Sequence, residues 1–590
     1  MENKMINVKI DGRDYQVSHG KTILEACREI GIRIPSLCYL KDVSHNASCA
    51  ICVVDVKGAK AMVRSCVTGI LEGMEITTHS PAIMEARRLN LELILANHPK
   101  DCLICERNGN CELQSLCADL GITEASFPRT KPHELPDATS LALVRNPDKC
   151  ILCGRCVAVC AEMQTVFAID ITGRGLRSKV TTYQDKGLGN VACTYCGQCA
   201  LVCPTAAIVE KNDTPAVFAD IYDKEKMVII QTAPAIRVGI GEAMGMPEGA
   251  LVTGKMVASL RKLGFDKVFD TQFTADLTII EEGHELIHRL KNGGTLPMVT
   301  SCSPGWIKFI EHFYPKSLGH LSTCKSPQQM FGAVAKTYYA EKLGIDPRKL
   351  VVVSIMPCTA KKFECKRPEM NSAFHYWKEK MGLTEKDNFY DVDYVLTTRE
   401  LAKMFKKTGV DFSTLKEEEF DQPLGISTGA GVIFGATGGV MEAAVRTAYE
   451  VVTGKPLPKI DLNVVRGFEG IKEAELDLDG TKLKVAVAHT LKNARVLLDQ
   501  IEEGKSPYAF IEVMTCPGGC LGGGGQAIPT TWEIRQKRAD SIYKEDTLHV
   551  IRKSHENPAI HAIYEEFLKE PLGHHSHELL HTAYVERGIY

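Results

Sequence analysis

The sequence predicts a multidomain α/β protein in which small cysteine-rich modules precede a larger domain built on a mostly parallel sheet. Three observations predict it. Seventeen of the 23 cysteines lie at or before residue 203, and six are spread over the remaining 387 residues. From residue 226 onward, apolar β-branched runs (227–230, 350–355, 394–396, 483–488, 509–513) alternate with helical stretches, the pattern of parallel strands with helices on the sheet faces. At 590 residues the chain has room for about three to five domains. A hydrophobic content of 44% and a charged content of 24% are ordinary for a soluble globular protein. The net charge of −3 gives no reason to invoke nucleic acid or an anionic membrane, and no apolar run is long enough to span a bilayer. The opening MENKMINVKIDG alternates as a strand does and lacks a signal peptide's apolar core. Cysteines clustered at metal-ligand spacing point to a reducing, cytoplasmic setting rather than to disulfides.

Residues 4–10 and 14–18 read as a β-hairpin turning at Asp11-Gly12, and 22–30 as a helix. Cys38, Cys49-x2-Cys52 and Cys66 follow. A strand–helix fold with three loop cysteines and a distant fourth suits a [2Fe–2S] domain over residues 1–80; the alternative is a set of buried thiols. The x10 gap after Cys38 departs from the plant ferredoxin x4 and is closer to the ferredoxin-like domain of respiratory electron-input subunits. Residues 81–97 read as an amphipathic helix. Within the 81–125 module stands His98-x3-Cys102-x2-Cys105-x5-Cys111, three thiolates and an imidazole for one [4Fe–4S] cluster. The neutral ring makes that site less negative and raises its potential. Residues 126–140, proline-rich and polar, read as a linker.

The 141–215 region holds Cys150-x2-Cys153-x2-Cys156-x3-Cys160, then Cys193-x2-Cys196-x2-Cys199-x3-Cys203-Pro204. This doubled run is the bacterial ferredoxin pattern, in which each run gives three ligands to one cubane and its fourth to the other. Paired zinc sites are the alternative, but zinc seldom needs this spacing twice, closed by Cys-Pro. Two adjacent clusters suit single-electron transfer.

In the α/β region three motifs stand at the ends of apolar runs: Thr300-Ser-Cys-Ser-Pro-Gly-Trp306, Met356-Pro-Cys-Thr-Ala-Lys-Lys-Phe-Glu364 and Met514-Thr-Cys-Pro-Gly-Gly-Cys520. Strand-end loops are where α/β folds put chemistry. Either the three cysteine loops converge on a further cluster, with the glycines beside Cys520 admitting a bulky cofactor, or they are unrelated buried thiols.

At these residues the chain resembles the [FeFe]-hydrogenases, over nearly its whole length and in the order of its cysteine modules. The resemblance implies ferredoxin-like iron–sulfur modules, an α/β H-cluster domain over 216–528 and a short helical, small-subunit-like tail over 529–590. It implies an H-cluster, a [4Fe–4S] cubane bridged by a thiolate to a two-iron centre carrying carbon monoxide, cyanide and an azadithiolate. With one [2Fe–2S] and three [4Fe–4S] clusters, that completes the cofactor set. Carried over by position, Cys358 and Cys516 ligate the cubane, Cys520 bridges, Lys361 donates to a cyanide, and Met356, Met514, Gln328, Pro234 and Phe434 wall the pocket. Ala235 stands where the family has a serine. The family's proton relay falls on Cys302, Glu282, Ser322 and Glu285, with the two glutamates three apart on a helical face. Without the resemblance, a solvated acidic helix is the simpler reading of that pair.

The first motif departs from the family. Its second position, normally a ligating cysteine, is Ser303. Three readings stay open: Ser303 ligates weakly, Cys302 takes the iron in its place, or the cubane has an open corner. Cys27, Cys117, Cys324 and Cys365 read as structural thiols, with Cys365 next to the second motif. His577-Glu-Leu-Leu-His581 matches a zinc-protease pattern but leaves little chain for a third ligand. Gly239-x-Gly241-x3-Gly245 has the wrong spacing for a dinucleotide.

The reading is reversible hydrogen activation, 2H⁺ + 2e⁻ ⇌ H2, with electrons carried through the iron–sulfur modules to a protein partner. That partner is ferredoxin, a flavin- and NAD-binding iron–sulfur subunit, or both, the last in an electron-bifurcating complex. The alternatives are a hydrogen sensor or a non-catalytic electron-transfer subunit. The second lacks the Met-Pro-Cys and Cys-Pro-Gly-Gly-Cys motifs; the altered first motif is the one feature that favours low activity.

Overall fold

A computed structural model describes residues 4–478 and 480–589; residues 1–3 of the first domain and the last residue of the tail lie outside it. The predicted hairpin forms from β1 (Met5–Ile10) and β2 (Arg13–Ser18), antiparallel, with Ile10 opposite Arg13. Asp11 and Gly12 both take positive φ, 49° and 80°, which is the two-residue turn that matches strand twist. The helix Ile23–Glu29 starts on a reciprocal capping box between Thr22 and Glu25, worth about 1 kcal/mol. With β3 (Val53–Val56), β4 (Val63–Arg64) and β5 (Glu75–Thr77) the hairpin makes a five-stranded sheet ordered β2-β1-β5-β3-β4. Its buried face packs Ile6, Val8 and Ile10 onto Leu24 and Cys27 of the helix.

The helix Pro81–Ala96 ends two residues before His98. The predicted linker is irregular but anchored. Arg129 donates to the Asn97 carbonyl at 2.9 Å and to Asp148 at 2.8 Å, and Asn97 Oδ1 accepts from the backbone of Thr130 and Lys131. Prolines and polar residues here prevent regular structure without preventing order.

The chain divides into two units. One holds residues up to Val191 together with Val202–Val209; the other holds Ala192–Leu201 and residues from Glu210 on. The second run of the doubled cysteine motif is therefore split, with Cys193, Cys196 and Cys199 built into the larger unit.

In that unit the single sheet expected from the sequence is two. The first is wholly parallel, formed by β6 (Met227–Thr232), β7 (Lys267–Asp270), β9 (Leu350–Met356) and β10 (Tyr394–Thr397) in the order β7-β6-β9-β10. The second contains β8 (Met298–Val299), β11 (Ile471–Leu478), β12 (Thr481–His489) and β13 (Phe510–Met514) in the order β8-β13-β12-β11, antiparallel only at β11. Every residue of β9 and of β13 is buried, as expected of strands covered on both faces.

Between the sheets runs a 22-residue helix, Thr271–Asn292. Phe273, Leu277 and Ile280 enter the core of the first sheet; Ala275, Ile279 and Leu286 enter the core of the second. Apolar on two sides, it is buried almost to Leu286, and it carries Glu281, Glu282 and Glu285 inside with it. Among the described residues no helix is long and apolar enough to cross a membrane.

Candidate active site

In the smaller unit the thiols of Cys38, Cys49, Cys52 and Cys66 share hydrogen bonds, Cys38 with Cys49 and Cys66, and Cys52 with Cys66. Three are fully buried. Thiols packed this closely without a metal are poorly solvated, and an iron–sulfur group replaces their mutual contacts with bonds. His98 has a buried Nδ1 with no hydrogen-bond partner, and burial depresses its pKa to about 4. A neutral ring with an orphaned nitrogen is in the state a metal requires. Of its companions, Cys102 is exposed, while Cys105 accepts from Lys149 Nζ at 3.5 Å. Cys150, Cys153, Cys156 and Cys203 line one cavity of about 420 Å³. That is three cysteines of the first run with the last of the second, the crossed set that the doubled motif calls for. Cys160 Sγ accepts from the Ala168 N–H at 3.3 Å.

In the larger unit, four strand ends open on one cavity. Pro234 follows β6, the Cys302 loop follows β8, Pro357-Cys358 follow β9, and Thr515-Cys516 follow β13. All of these residues, with Cys520, Gln328, Met356, Phe434 and Met514, line an empty volume of about 810 Å³. The three motif loops therefore converge. Burial and then its cysteine neighbour Cys358 push Cys520 up to about 12 and Cys516 well above the thiol range, so thiolates there need a cationic partner, which iron supplies. Gly518 and Gly519 take consecutive φ of +78° and +81°, a backbone open to glycine alone, which folds the Cys516–Cys520 loop around the cavity. Gln328, on the cavity wall, has a buried Oε1 with no partner. The donor set and this orphaned oxygen fit a cysteine-ligated cluster with polar ligands of its own.

Lys361 is the cation of the site. Its Nζ donates to Ser326 Oγ at 2.7 Å, Glu364 Oε2 at 2.8 Å and the Cys302 carbonyl at 3.2 Å. Gln328 Nε2 reaches the same Glu364 oxygen at 3.1 Å. Ser303 lines the cavity with its hydroxyl 2.8 Å from Thr515 Oγ1, and it accepts from Thr515 N at 3.2 Å. Ala235 is fully buried, and its carbonyl accepts from Gln526 Nε2 at 2.8 Å; it is not among the lining residues.

Cys302 lines the cavity, and burial followed by the Glu282 charge pushes its thiol well above the ordinary range. Glu282, Ser322 and Glu285 lie behind the wall. Burial, then the charge of Glu285, pushes Glu282 up to about 8. Ser322 Oγ donates to Glu285 Oε2 at 2.8 Å, and Arg289 pairs with Glu285 at 2.6 Å.

Sequence reasoning missed several participants. Cys196 also lines the cavity. Its segment is clamped there: Gln198 Nε2 donates to the Gly522 carbonyl at 2.9 Å, and Thr359 Oγ1 to the Tyr195 carbonyl at 2.7 Å. A Cβ on Gly524 would stand 2.1 Å from the Cys196 carbonyl, so glycine is what permits that approach. Glu364 was within the second motif, and its i,i+3 spacing from Lys361 was a readable signal. Ser326 and Thr515 carried none. Cys365 is buried against the Lys362 carbonyl, 3.3 Å away, and does not line the cavity.

Comparison with known proteins covers every module. Residues 226–524 match the iron only hydrogenase large subunit, C-terminal domain, and 532–587 the iron hydrogenase small subunit. Residues 3–81 match a 2Fe-2S iron-sulfur cluster binding domain, 87–126 the NADH-ubiquinone oxidoreductase-G iron-sulfur binding region, and 149–207 a 4Fe-4S dicluster domain. The NADP-reducing hydrogenase subunit HndD of Solidesulfovibrio fructosivorans is 48% identical over 99% of both chains. Iron hydrogenase 1 of Clostridium pasteurianum is 40% identical over 98% of this chain and 100% of its own. The structure of apo [FeFe]-hydrogenase HydA1 from Chlamydomonas reinhardtii superposes with a TM-score of 0.56 at 43% identity, covering 64% of this chain and 100% of its own.

Proposed function

This chain belongs to the iron-only hydrogenase family, and on that premise we propose how its residues divide the work of interconverting H2 with protons and electrons. It is an oxidoreductase acting on hydrogen, with 2Fe–2S and 4Fe–4S domains that relay electrons. The observation that carries the residue assignment is the convergence of three cysteine loops and Lys361 on one cavity.

Cys358, Cys516 and Cys520 would hold an H-cluster, which would supply the metal centre at which the H–H bond is made and broken. Lys361, fixed by Glu364 and Ser326, presents its charge to the polar ligands of that group. Met356, Met514, Phe434 and Pro234 keep water out, and Gln328 turns its amide to the wall. Ser303 is held by Thr515 and serves as a hydroxyl rather than as a thiolate. Cys302, whose thiol burial and the Glu282 charge keep protonated at rest, passes protons at Sγ by releasing one as it takes up another, and so exchanges them with Glu282, Ser322 and Glu285 in turn. A carboxyl pushed up to about 8 by burial and by Glu285 holds or yields its proton near neutral pH.

Cys193, Cys196 and Cys199, with Cys160 as the fourth ligand that the doubled spacing calls for, would hold one [4Fe–4S] group, and Cys150, Cys153, Cys156 and Cys203 a second; both would supply single-electron carriers. His98, Cys102, Cys105 and Cys111 would hold a further [4Fe–4S] group and Cys38, Cys49, Cys52 and Cys66 a [2Fe–2S] group, which would offer two entrances for electrons from the partner. The near-full-length likeness to a subunit of an NADP-reducing hydrogenase supports a multi-subunit, NAD(P)-linked complex, and the cysteine pattern of the sequence extends that reading to a cytoplasmic setting and a flavin- and NAD-binding iron–sulfur partner. Within it, bifurcation with ferredoxin is the second electron branch. The sensor and electron-transfer-subunit readings are not favoured, since the relatives that span the whole chain are hydrogenases.

The test is H2 production by the anaerobically purified, maturase-loaded chain with reduced methyl viologen, alongside infrared spectra of the carbonyl and cyanide region. Turnover with both sets of bands supports the assignment. Absence of bands after confirmed loading overturns it.

A further inference from the structure

Arg535 is a cation buried without an anion. It is the fourth residue of the helix Trp532–Leu548 and only 6% exposed. Its Nε has no hydrogen-bond partner, and among the described residues no carboxylate is paired with its guanidinium. The next guanidinium along the same helix is different: Arg538 Nε donates to Glu242 Oε1 at 2.8 Å and its Nη1 to the Leu521 carbonyl at 2.7 Å. The position is a costly one for a positive charge. Burial and then repulsion by Arg538 lower the Arg535 pKa to about 10, against the pull of Cys516 and Glu533. The group is still charged at neutral pH, so it cannot escape the cost by giving up its proton. The start of a helix is also the positive end of its dipole. In return the side chain gains the face of Trp532, 4.5 Å from its Cζ, a contact too weak to repay an unpaired buried charge.

What the side chain touches is the loop that carries Cys516 and Cys520. A Cβ on Gly522 would stand 2.7 Å from Arg535 Nε, and one on Gly518 would stand 3.4 Å from its Cδ and 3.1 Å from the Phe468 ring. Glycine at both positions lets the arginine stem lie on the loop backbone. Phe468 in turn packs on Trp532, with ring centroids 5.6 Å apart, so aromatic rings hold the stem in place. Arg535 does not line the cavity; it stands behind the wall that the loop forms. As a free thiol Cys516 is pushed well above the ordinary range by burial and offers the guanidinium no charge. As a thiolate on iron it does.

We propose that Arg535 is the counter-charge of the cubane held through Cys516, and that it raises the potential at which that group accepts an electron. Each electron added to a thiolate-ligated cluster makes it more negative, and a fixed cation close by in a low-dielectric surround favours the reduced form. Arg535 touches neither substrate nor metal and acts through the Cys516 loop, as a positioning residue for charge. Lys361 cannot play the same part to the same degree, because its charge is largely offset by Glu364 at 2.8 Å. The inference rests on the reading that Cys516 ligates the cubane.

The test is a redox titration of the loaded full chain, followed by the shift of the carbonyl bands as an electron enters the cubane. Arg535→Gln and Arg535→Met, neutral and of similar length, should each lower the midpoint, so that at the parental midpoint the ratio of reduced to oxidised cubane falls on the order of tenfold. Arg535→Lys keeps the charge and should stay near the parental midpoint. Lys537→Gln removes a cation two positions along the helix, 56% exposed and paired with Glu248 at 2.7 Å, and should leave the midpoint unchanged. A merely structural arginine would not order the variants by charge. The inference is overturned if a neutral variant that carries the bands keeps the parental midpoint, or if Arg535→Lys shifts as far as the neutral pair. Loss of the bands from both neutral variants would mark a structural residue and overturn it as well. If Cys516→Ala keeps the parental cubane signal, the ligand reading itself fails, and the inference with it.

Discussion

The hydroxyls of Ser303 and Thr515 lie 2.8 Å apart, joining the loop after β8 to the loop after β13 at the cavity wall. The bond shows what the unusual serine does in the protein: it ties two motif loops together. A thiol is a weak hydrogen-bonding substitute, but as thiolate it is a far better iron ligand. Ser303→Cys should therefore lengthen the retention of iron by the loaded chain under chelator challenge several-fold and shift the electron paramagnetic resonance of the cubane. Identical retention and spectra would mean that this position does not face the cluster.

Lys361 and Glu364 form a largely buried pair at 2.8 Å, with side chains 10% and 6% exposed. Removing one partner strands the other charge. Lys361→Ala should lower stability by about 3–5 kcal/mol, read as a shift of the denaturant midpoint of the larger unit in the metal-free chain. The double variant Lys361→Ala, Glu364→Ala should cost less than the two single losses together.

Glu282, pushed up to about 8 by burial and by Glu285, stays protonated in the folded protein at pH values where the unfolded chain has released that proton. The folded state then binds more protons, so stability from this group is full below the ordinary carboxyl range and falls as pH rises through about 8. Glu282→Gln should flatten the pH dependence of stability across that window and cut H2 turnover by roughly a hundredfold or more.

On the proposed assignment the neutral His98 ring, whose buried Nδ1 has no partner, would set the charge of its cluster. His98→Cys adds a thiolate and should lower that cluster's reduction potential, by on the order of 100 mV, in a redox titration. The other clusters should keep theirs.

Much of this was legible in the sequence because ligand spacing is local. The Cys150 and Cys193 runs, the His98 group and the three strand-end motifs each announce themselves within a few residues, as does the Asp11-Gly12 turn. Strand pairing is not local: short strands such as Met298–Val299 and Lys267–Asp270 carry little pattern of their own, and nothing in the alternation says that β13 pairs with β12 rather than with β9. The same holds for the site. Lys361 was readable, while Ser326 and Thr515 were brought in by tertiary packing. Ala235, placed by position beside Pro234, turns out to serve the Gln526 amide. His581 looked like part of a stray protease signature because its contact with Glu281 spans 300 positions of chain.

The strip of chain around Cys196 belongs structurally to the larger unit, although by sequence it falls inside the ferredoxin-like module. Cutting the gene at the apparent module boundary near residue 215, to obtain a minimal catalyst, would excise a panel of the reaction chamber itself. Gly522, Gly524 and Thr359 would face solvent where Gln198, Cys196 and Tyr195 now sit, and oxygen would gain a window next to Cys358 and Cys516. A compact catalytic version of this protein has to keep residues 192–201, grafted or tethered in place, because Cys196, proposed as an electron-carrier ligand, also forms part of the chamber wall.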